Sequence, residues 1–339
     1  MKYYILLISL LCCLANISAQ DSEEMVIKKF PIQLSTTFSI GSHGKQGLDY
    51  IYNLSLNLVA GKARGINGAQ FSVIYGQIRG AVNGLQVAGF TNSAAFINGI
   101  QISGLTNYTV VTKGIQISGL INAASVSMGM QIAGIVNGAA DLSGIQIGGI
   151  GNAAAELRGI QIGGLRNTAV NLTGLQIGGV NQTHTLKGVT IGLVSITDTI
   201  AKGVSLSLIN IVKRGFYREW ELSFANYANV ALSYKMGMRR FYTLYTVGAN
   251  FIDDKLWIAG IGFGNCSRIG KRFDFQPEIA TLSYFSTNFK KVESAFETHL
   301  KLGLVYRVTD KFGFSLAPSV YLKNKNKAGF GLSLGLKII

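Results

Sequence analysis

Two patterns of hydrophobic and polar positions follow one another along this chain. The first is a fifteen-residue unit, G-Φ-Q-Φ-x-G-Φ-x-N with Φ a large apolar residue and a looser second half; residues 159–173, GIQIGGLRNTAVNLT, are one copy. The glycines that open successive units are Gly84, Gly99, Gly114, Gly129, Gly144, Gly159 and Gly174, and Gly188 and Gly203 continue the series after one residue is lost. A fixed short period predicts a stacked array in which each unit completes the core of its neighbour.

The parity of the large residues within one unit distinguishes two possible folds. Side chains alternate between the faces of an extended chain, so Ile160 and Ile162 share one face, whereas Leu165 and Asn167 have the opposite parity. A corner at Gly163-Gly164 would point all four residues inward, which favours a β-solenoid with one coil per unit and about nine coils. The alternative is one membrane strand and one turn per unit, which requires a β-bulge in every repeat.

Two amide side chains recur once per unit. The asparagines are Asn92, Asn107, Asn122, Asn137, Asn152 and Asn167, with Gln182 in the seventh unit, and the glutamines are Gln86, Gln101, Gln116, Gln131, Gln146, Gln161 and Gln176. Stacked coils place equivalent amides about 4.8 Å apart, where they hydrogen-bond as ladders. We predict an inward asparagine ladder and an outward glutamine ladder, both of them structural; a polar stripe that binds a glycan is the functional alternative.

The second pattern, strict alternation of large apolar residues with small or charged ones, follows the array. In residues 299–308, HLKLGLVYRV, the residues Leu300, Leu302 and Leu304 oppose Lys301. The segments WELSFANY, NVALSYKMG and FGLSLGLKII alternate in the same way. Such alternation over about 9–11 positions is typical of outer-membrane strands. Further strands are predicted near residues 241–250, 255–264, 273–285 and 312–322, which makes eight strands after the array.

Two more alternating segments precede the array, PIQLSTTFSI from Pro31 and YIYNLSLNLVA from Tyr50. Together these patterns predict an all-β chain, in which the repeat array is inserted after the second strand of an antiparallel outer-membrane-type barrel of about 8–10 strands. A soluble lipocalin-like barrel, with its apolar residues inside, is the alternative. The final Ile339, where outer-membrane barrels commonly have an aromatic residue, weakens the membrane interpretation.

The predicted domain boundaries follow from these patterns. They are a signal peptide over residues 1–19, N-terminal barrel strands over 20–67, the repeat array over 68–212 and C-terminal barrel strands over 213–339. In the signal peptide, Lys2 precedes an apolar run, and small residues stand before the predicted cleavage after Ala19. Cys12 and Cys13 suggest a lipoprotein, but Leu11 stands where a lipobox requires a small residue.

Composition and charge narrow the class of protein and its partners. The chain is 48% hydrophobic and 14% charged, yet no apolar run after the signal peptide is long enough for a spanning helix. The formal net charge is +15, but Lys and Arg are scattered singly or in short runs, so nucleic acid is not an expected partner. The expected partners of an exported protein of this kind are membrane lipid, an anionic polysaccharide or another surface protein.

The sequence presents little catalytic or metal-binding chemistry. His43, His184 and His299 are far apart and lack the spacing of metal ligands, and the Asp253-Asp254 pair is typical of a turn. Cys266 is the single cysteine after the signal peptide, has no histidine placed near it by the pattern, and is predicted to be inert. We therefore predict no catalytic residue, no metal site and no cofactor.

The segments NLSLNLVAGKARGINGAQF, GVSLSLINIVKRGFYREWELS and MRRFYTLYTVGANF, together with the array, resemble a family of secreted or outer-membrane surface-repeat proteins of Bacteroidetes-type bacteria. The resemblance covers residues 30–339 and implies a cell-envelope location, but no activity and no functional residues. The sequence thus predicts a non-enzymatic outer-membrane or surface protein whose barrel anchors a stiff array for structural or interaction roles. The alternative is an outer-membrane transport or channel protein with the array as a plug or periplasmic extension, although a barrel of about ten strands leaves little lumen.

Overall fold

The computed structural model describes residues 28–251, 256–285, 295–323 and 327–339. The predicted signal peptide, with Cys12 and Cys13, and the predicted turn at Asp253-Asp254 lie outside these residues. The described chain is predominantly strand, which confirms the all-β prediction. It divides between Gly192 and Leu193 into two compact units.

The repeat region is a parallel β-solenoid of about eight turns. Its strands are β1 (Lys28–Thr37), β2 (Ile40–Gly41), β3 (Tyr50–Asn57), β4 (Ala60–Ala63), β5 (Gly65–Ser72), β6 (Tyr75–Ala88), β7 (Thr91–Ser103), β8 (Thr106–Ser118), β9 (Ile121–Ala133), β10 (Val136–Gly148) and β11 (Gly151–Arg214), which continues through the last coils into the second unit. A short 3-10 helix, Gly44–Asp49, precedes β3. Among the described residues, no helix has both the length and the apolar character needed to cross a membrane.

Successive coils stack in parallel with equivalent residues side by side. Asn122, Asn137 and Asn152 lie next to one another on consecutive strands, as do the other positions of the unit. The chain bends at the second glycine of the unit and the apolar residue after it, as at Gly104 and Leu105. The solenoid prediction is confirmed, and the alternative of one membrane strand per repeat is excluded for the array.

The glycine that opens each unit has a backbone conformation that other residues avoid. Gly129 has a φ of +142° and Gly144 a φ of +148°. A methyl group added at Gly144 would lie 1.9 Å from the carbonyl oxygen of Gly129 in the preceding coil. Only glycine combines this positive φ with such a close approach of two backbones, which explains why the opening position is glycine in every unit.

The prediction of N-terminal barrel strands over residues 20–67 is wrong for the part of this range that the structure describes. Strand β1 pairs in parallel with β3, and β3 pairs in parallel with β5, so these strands form the first coils of the solenoid. A solenoid strand has one inward and one outward face, as a barrel strand has, and both give a period of two. Alternation alone therefore does not separate the two folds.

The second unit contains a closed antiparallel barrel of eight strands, as predicted for the segment after the array. The strands are β12 (Tyr217–Ala225), β13 (Ala228–Met238), β14 (Phe241–Asn250), β15 (Leu256–Gly264), β16 (Ser267–Ile269), β17 (Phe273–Phe285), β18 (Ala295–Arg307), β19 (Phe312–Lys323) and β20 (Lys327–Ile338), of which the short β16 is an appendage on β17. Pairing of β12 with β20 and of β15 with β17 closes the cylinder and removes its edges. Because the number of strands is even, β12 begins and β20 ends at the same end, which is named the basal mouth.

Candidate functional site

The asparagines of the repeat lie inside the solenoid. Asn92, Asn107, Asn122, Asn137, Asn152 and Asn167 are all buried. Each Nδ2 donates to the Oδ1 of the equivalent residue in the next coil and to a carbonyl on the opposite wall of the solenoid; Asn137 reaches Asn152 at 2.9 Å and the carbonyl of Ile147 at 2.8 Å. These bonds tie neighbouring coils together and also hold the shape of each coil.

The ladder continues past the sixth asparagine through Asn181 and not through Gln182, so the sequence prediction for the seventh unit is wrong. The Nδ2 of Asn167 donates to the Oδ1 of Asn181 at 3.0 Å, and the Nδ2 of Asn181 donates to the carbonyl of Ile191 at 2.8 Å. This unit is one residue shorter than the others. Its inward amide therefore stands one residue earlier in the unit.

The glutamines form a second ladder that is also inside the solenoid. Gln86, Gln101, Gln116, Gln131, Gln146, Gln161 and Gln176 are fully buried. The Nε2 of each donates to the Oε1 of the glutamine in the preceding coil, over distances between 2.7 and 2.9 Å. The prediction that this ladder faces outward is wrong, because a buried amide is stable when its polar atoms are paired. The two ladders donate in opposite directions along the solenoid axis.

The apolar residues on either side of each glutamine, and the one after the second glycine, consequently face outward, whereas the apolar residue near the end of the unit, such as Leu142, Leu157 or Leu172, is buried. In the unit at residues 159–173, Ile162 is 39% exposed and Leu165 is 64% exposed. The prediction that a glycine corner turns Ile160, Ile162, Leu165 and Asn167 all inward is therefore wrong, since of these four only Asn167 lies inside. Gln161 takes the inward parity of its strand, and this places both neighbouring isoleucines on the outer face.

An apolar groove lies beside the first coils. It has a volume of about 540 Å³ and is lined by Leu34, Leu56, Leu58, Phe71 and Val73, among others. Its walls are the outward faces of β1, β3 and β5, which present large apolar side chains with few polar atoms between them. The groove offers shape and apolar surface but no cluster of reactive groups.

His43 belongs to a cluster of aromatic rings at the start of β3. Its ring stacks on Tyr50 with a centroid separation of 3.9 Å, and its Nδ1 lies 3.0 Å from the hydroxyl of Tyr52. Burial, with smaller contributions from Tyr50 and Asp49, raises the pKa of Tyr52 to about 12, so this hydroxyl stays protonated at neutral pH. The contacts of His43 are those of a packed aromatic residue.

The outer surface of the barrel is apolar and is bordered by aromatic residues at both mouths. Along β18, Leu300, Leu302 and Leu304 are between 45% and 50% exposed, whereas His299 and Lys301 point inward and are buried. Outward aromatic residues include Trp220, Phe241, Phe273, Tyr306 and Phe312 at the basal mouth and Phe224, Trp257, Phe285, Phe296 and Phe330 towards the other mouth. An apolar band with aromatic residues towards both ends is typical of barrels that span a bilayer.

The lumen of the barrel holds a network of buried charges. The Nζ of Lys235 lies 3.0 Å from Glu219 Oε1, 2.7 Å from Glu221 Oε2 and 2.5 Å from Glu278 Oε1. All four side chains are almost completely buried. Three carboxylates around one ammonium group would leave a net negative charge, so further cations are required for balance.

Two further lysines complete this balance. The Nζ of Lys337 lies 2.9 Å from Glu219 Oε1 and 3.4 Å from Glu221 Oε2, and Lys301 lies 3.5 Å from Glu278 Oε2. Three lysines thus face three glutamates across the lumen. Beyond this network, a lumenal cavity lined by Leu244, Ala280 and His299 measures about 20 Å³, which is the space of about one water molecule. In the part of the barrel that the structure describes, side chains occupy the lumen at the level of this network.

The last coil covers part of the outer surface of the barrel within the second unit. The Oγ1 of Thr243 donates to the carbonyl of Ser207 at 2.9 Å and accepts from the Nδ2 of Asn210 at 3.2 Å. The hydroxyl of Tyr245 donates to the carbonyl of Leu208. Thr243 has the outward parity of β14 and is nevertheless fully buried, because the coil and not solvent or lipid contacts it.

Cys266 and His299 also lie in packed surroundings. Cys266 is buried beside Tyr217 and Tyr242 at the basal mouth. His299 stacks on Tyr321 and lies 3.2 Å from Glu297 in the lumen. Within the described ranges, no group of three or more His, Cys, Asp or Glu residues is arranged to hold a metal ion.

The lumenal network was not predicted from the sequence, although the sequence contains a signal for it. The charged members stand at the inward parity of alternating strands, as Glu219 and Glu221 do in REWELS and Lys301 does in HLKLGL. An acidic pair on one strand and lysines on others, all on the polar face, indicate a charged interior. Which charges meet depends on barrel closure, which local sequence does not specify.

No protein-family model and no curated protein matches this chain. Among solved structures, it is similar to the outer membrane protein Ail of Yersinia pestis in a phospholipid bilayer nanodisc, with 13% identity, a TM-score of 0.26 and coverage of 36% of this chain and 97% of Ail. It is also similar to a de novo designed transmembrane β-barrel, at 12% identity, a TM-score of 0.26 and coverage of 36% and 92%. Neisserial surface protein A aligns at 14% identity, with a TM-score of 0.25 and coverage of 37% and 96%. The fold assignment rests on the strand pairing of this chain itself.

Proposed function

We propose that this protein is a non-enzymatic outer-membrane protein of the cell envelope, in which the barrel anchors the chain in the lipid bilayer. The observation that carries this proposal is the polarity of the barrel: Lys235 and its carboxylate partners are inside, and Leu300, Leu302 and Leu304 are outside. A soluble barrel of the lipocalin type would have the reverse arrangement. Outside the part of β14 that the last coil covers at Thr243 and Tyr245, the band of large apolar side chains is stable only when lipid covers it.

The strand lengths support the same proposal. Strands β17 and β18 have 13 residues each, and β19 and β20 have 12 each. A tilted transmembrane strand needs about 9–11 residues to cross the hydrocarbon core. The strands are therefore long enough to cross a bilayer with the aromatic residues at its two surfaces.

The solenoid, in this proposal, is a stiff array for structural or interaction roles. Its in-register backbone pairing and two amide ladders resist bending and slippage of the coils. Between their ends, the ladders satisfy their own polar atoms, so contacts with a polysaccharide or another surface protein would use the exposed, variable residues that follow each asparagine. The resemblance to surface-repeat proteins of Bacteroidetes-type bacteria stays a prediction that points the same way.

The channel alternative receives less support. The lysine–glutamate network lies across the lumen, and the cavity beyond it holds about one water molecule. An eight-stranded barrel has an interior that side chains can fill completely. We therefore infer an anchor without steady conductance.

Cell fractionation with heat-modifiable gel migration tests the proposal. The full chain is expected in the outer-membrane fraction, to resist extraction with sodium carbonate, and to migrate faster before boiling than after it. Recovery as a soluble periplasmic protein without a heat-dependent shift would contradict the anchor. Planar-bilayer recording is expected to show no steady conductance; stable single-channel steps would favour the transport alternative.

A further inference from the structure

Pairs of cationic and aromatic residues encircle the basal mouth of the barrel. Four long strands begin at this mouth, β12, β14, β17 and β19, and each begins with an exposed cation next to an outward aromatic residue. The pairs are Arg218 with Trp220, Arg240 with Phe241, Arg272 with Phe273, and Lys311 with Phe312. In each pair the cation precedes the aromatic residue in the chain, and so lies closer to the basal end of the barrel along its axis. The same arrangement therefore occurs at four positions around the cylinder.

The basal mouth also has a large excess of positive charge. Asp274 is buried there, with Arg307 at 3.1 Å, Arg268 at 3.8 Å and Arg239 at 3.9 Å. One carboxylate cannot neutralise three guanidinium groups. Within the basal turns 239–240, 265–272 and 308–311, all of which the structure describes, Asp310 is the single acidic side chain. The four exposed cations of the pairs thus lie on a mouth that is already positive.

We propose that this ring of four cation–aromatic pairs binds the phosphate groups of anionic phospholipids in the leaflet at the basal mouth. The inference rests on the proposed membrane anchor. Aromatic side chains of membrane proteins lie at the depth of the lipid headgroups. A cationic side chain one or two residues closer to the end of the barrel than the aromatic side chain extends to the level of the lipid phosphates. An anionic headgroup neutralises its charge there. Arginine, present in three of the four pairs, donates two parallel hydrogen bonds to a phosphate.

The tryptophan of one pair can report on the lipid beside it. The chain has two tryptophans, so the Trp257→Phe variant leaves Trp220 as the single reporter at the basal mouth. This variant of the full chain is reconstituted in mixed bilayers of phosphatidylglycerol and phosphatidylcholine, with bromine on the acyl chains of one lipid or of the other. Quenching of Trp220 fluorescence should show a preference of about five-fold for brominated phosphatidylglycerol over brominated phosphatidylcholine. This is the effect of one cation beside an anionic surface. The preference should fall in 1 M salt, where the Debye length is about 3 Å.

Two sets of substitutions in this background identify the binding groups. Arg218→Gln, Arg240→Gln, Arg272→Gln and Lys311→Gln together should abolish the preference, whereas removal of four exposed solenoid cations, Lys45→Gln, Arg79→Gln, Lys113→Gln and Lys187→Gln, should leave it unchanged. If the fourfold ring variant does not fold, as judged by heat-modifiable migration, Arg218→Gln with Lys311→Gln alone should still lower the preference.

Several results would overturn the inference. Equal quenching by the two lipids, or a preference that survives the ring substitutions, excludes the headgroup site. Loss of the preference on addition of inorganic phosphate at matched ionic strength means that the ring takes free phosphate and not lipid, and displacement by an anionic polysaccharide means a different partner. Absence of quenching by either lipid contradicts membrane insertion, and so refutes the proposed function itself.

Discussion

Gly129 approaches Gly114 of the preceding coil so closely that a methyl group added at Gly129 would lie 2.1 Å from the carbonyl oxygen of Gly114. Gly129 also has a φ of +142°. We expect Gly129→Ala to lower the free energy of unfolding of the array by about 2–4 kcal/mol, because it introduces both backbone strain and a steric clash. Urea unfolding followed by circular dichroism measures this change.

Gly138→Ala is the matched control within the same array. A methyl group at Gly138 has no atom within 4 Å. Its expected effect is below about 0.5 kcal/mol. Equal effects of the two substitutions would show that the close contact between coils at the opening glycine is absent.

The glutamine ladder predicts that substitutions at inward positions lower the free energy of unfolding more than substitutions at outward positions. Gln131 donates to Gln116 and accepts from Gln146, both at 2.7 Å. Gln131→Met leaves one buried acceptor and one buried donor unpaired, with an expected loss of about 2–4 kcal/mol. Met128→Gln, on the exposed face of the preceding segment, should change the unfolding free energy by less than about 0.5 kcal/mol. Outward glutamines would give the opposite ranking.

Deletion of residues 129–158 tests the stacking of coils. It removes two whole units and joins Met128 to Gly159, so the register of every remaining coil is preserved. The protein is expected to fold with a solenoid shortened by about 10 Å, which small-angle scattering measures. Deletion of residues 129–151 instead breaks the fifteen-residue register and should disrupt the array. Deletion of β13 should prevent closure of the barrel. If the in-register deletion unfolds the whole chain, the units are not independent coils.

The buried lumenal charges predict a large effect of removing a single lysine. Lys235→Met leaves Glu219, Glu221 and Glu278 without their shared partner. The expected loss of barrel stability is about 3–5 kcal/mol, measured as the urea concentration at which the heat-modifiable band disappears in detergent. Adding Glu278→Gln to Lys235→Met should recover part of the loss, and Lys113→Met on the solenoid surface should have no measurable effect. A stable Lys235→Met barrel would contradict the network.

The overall architecture could be predicted from the sequence because its two periods are strong and local. A fixed unit length gave the solenoid, and alternation gave the barrel strands after the array, including one predicted at residues 241–250 and found at Phe241–Asn250. The assignment of residues 20–67 to the barrel failed because a solenoid strand and a barrel strand share a period of two. Which strands pair is determined by contacts between distant residues.

The orientation within the repeat could not be predicted for a related reason. In I-Q-I the isoleucines and the glutamine have opposite parity, so either could face inward. Placing isoleucine inside follows from the usual burial of apolar residues. In this solenoid the bonds that decide the question join residues in neighbouring coils, such as Gln161 and Gln146 at 2.8 Å. The exposed isoleucines are the consequence.

A spin-label scan along β18 tests directly whether lipid surrounds the barrel. In the background of Cys12→Ser, Cys13→Ser and Cys266→Ser, single cysteines at Leu300, Gly303 and Leu304 carry a nitroxide in reconstituted bilayers. High accessibility to oxygen, which dissolves in lipid, is expected at Leu300 and Leu304, and low accessibility to both oxygen and a water-soluble nickel chelate is expected at the inward Gly303. Access of the nickel chelate to Leu300 and Leu304 would show that water contacts the outer face, and would contradict the membrane anchor.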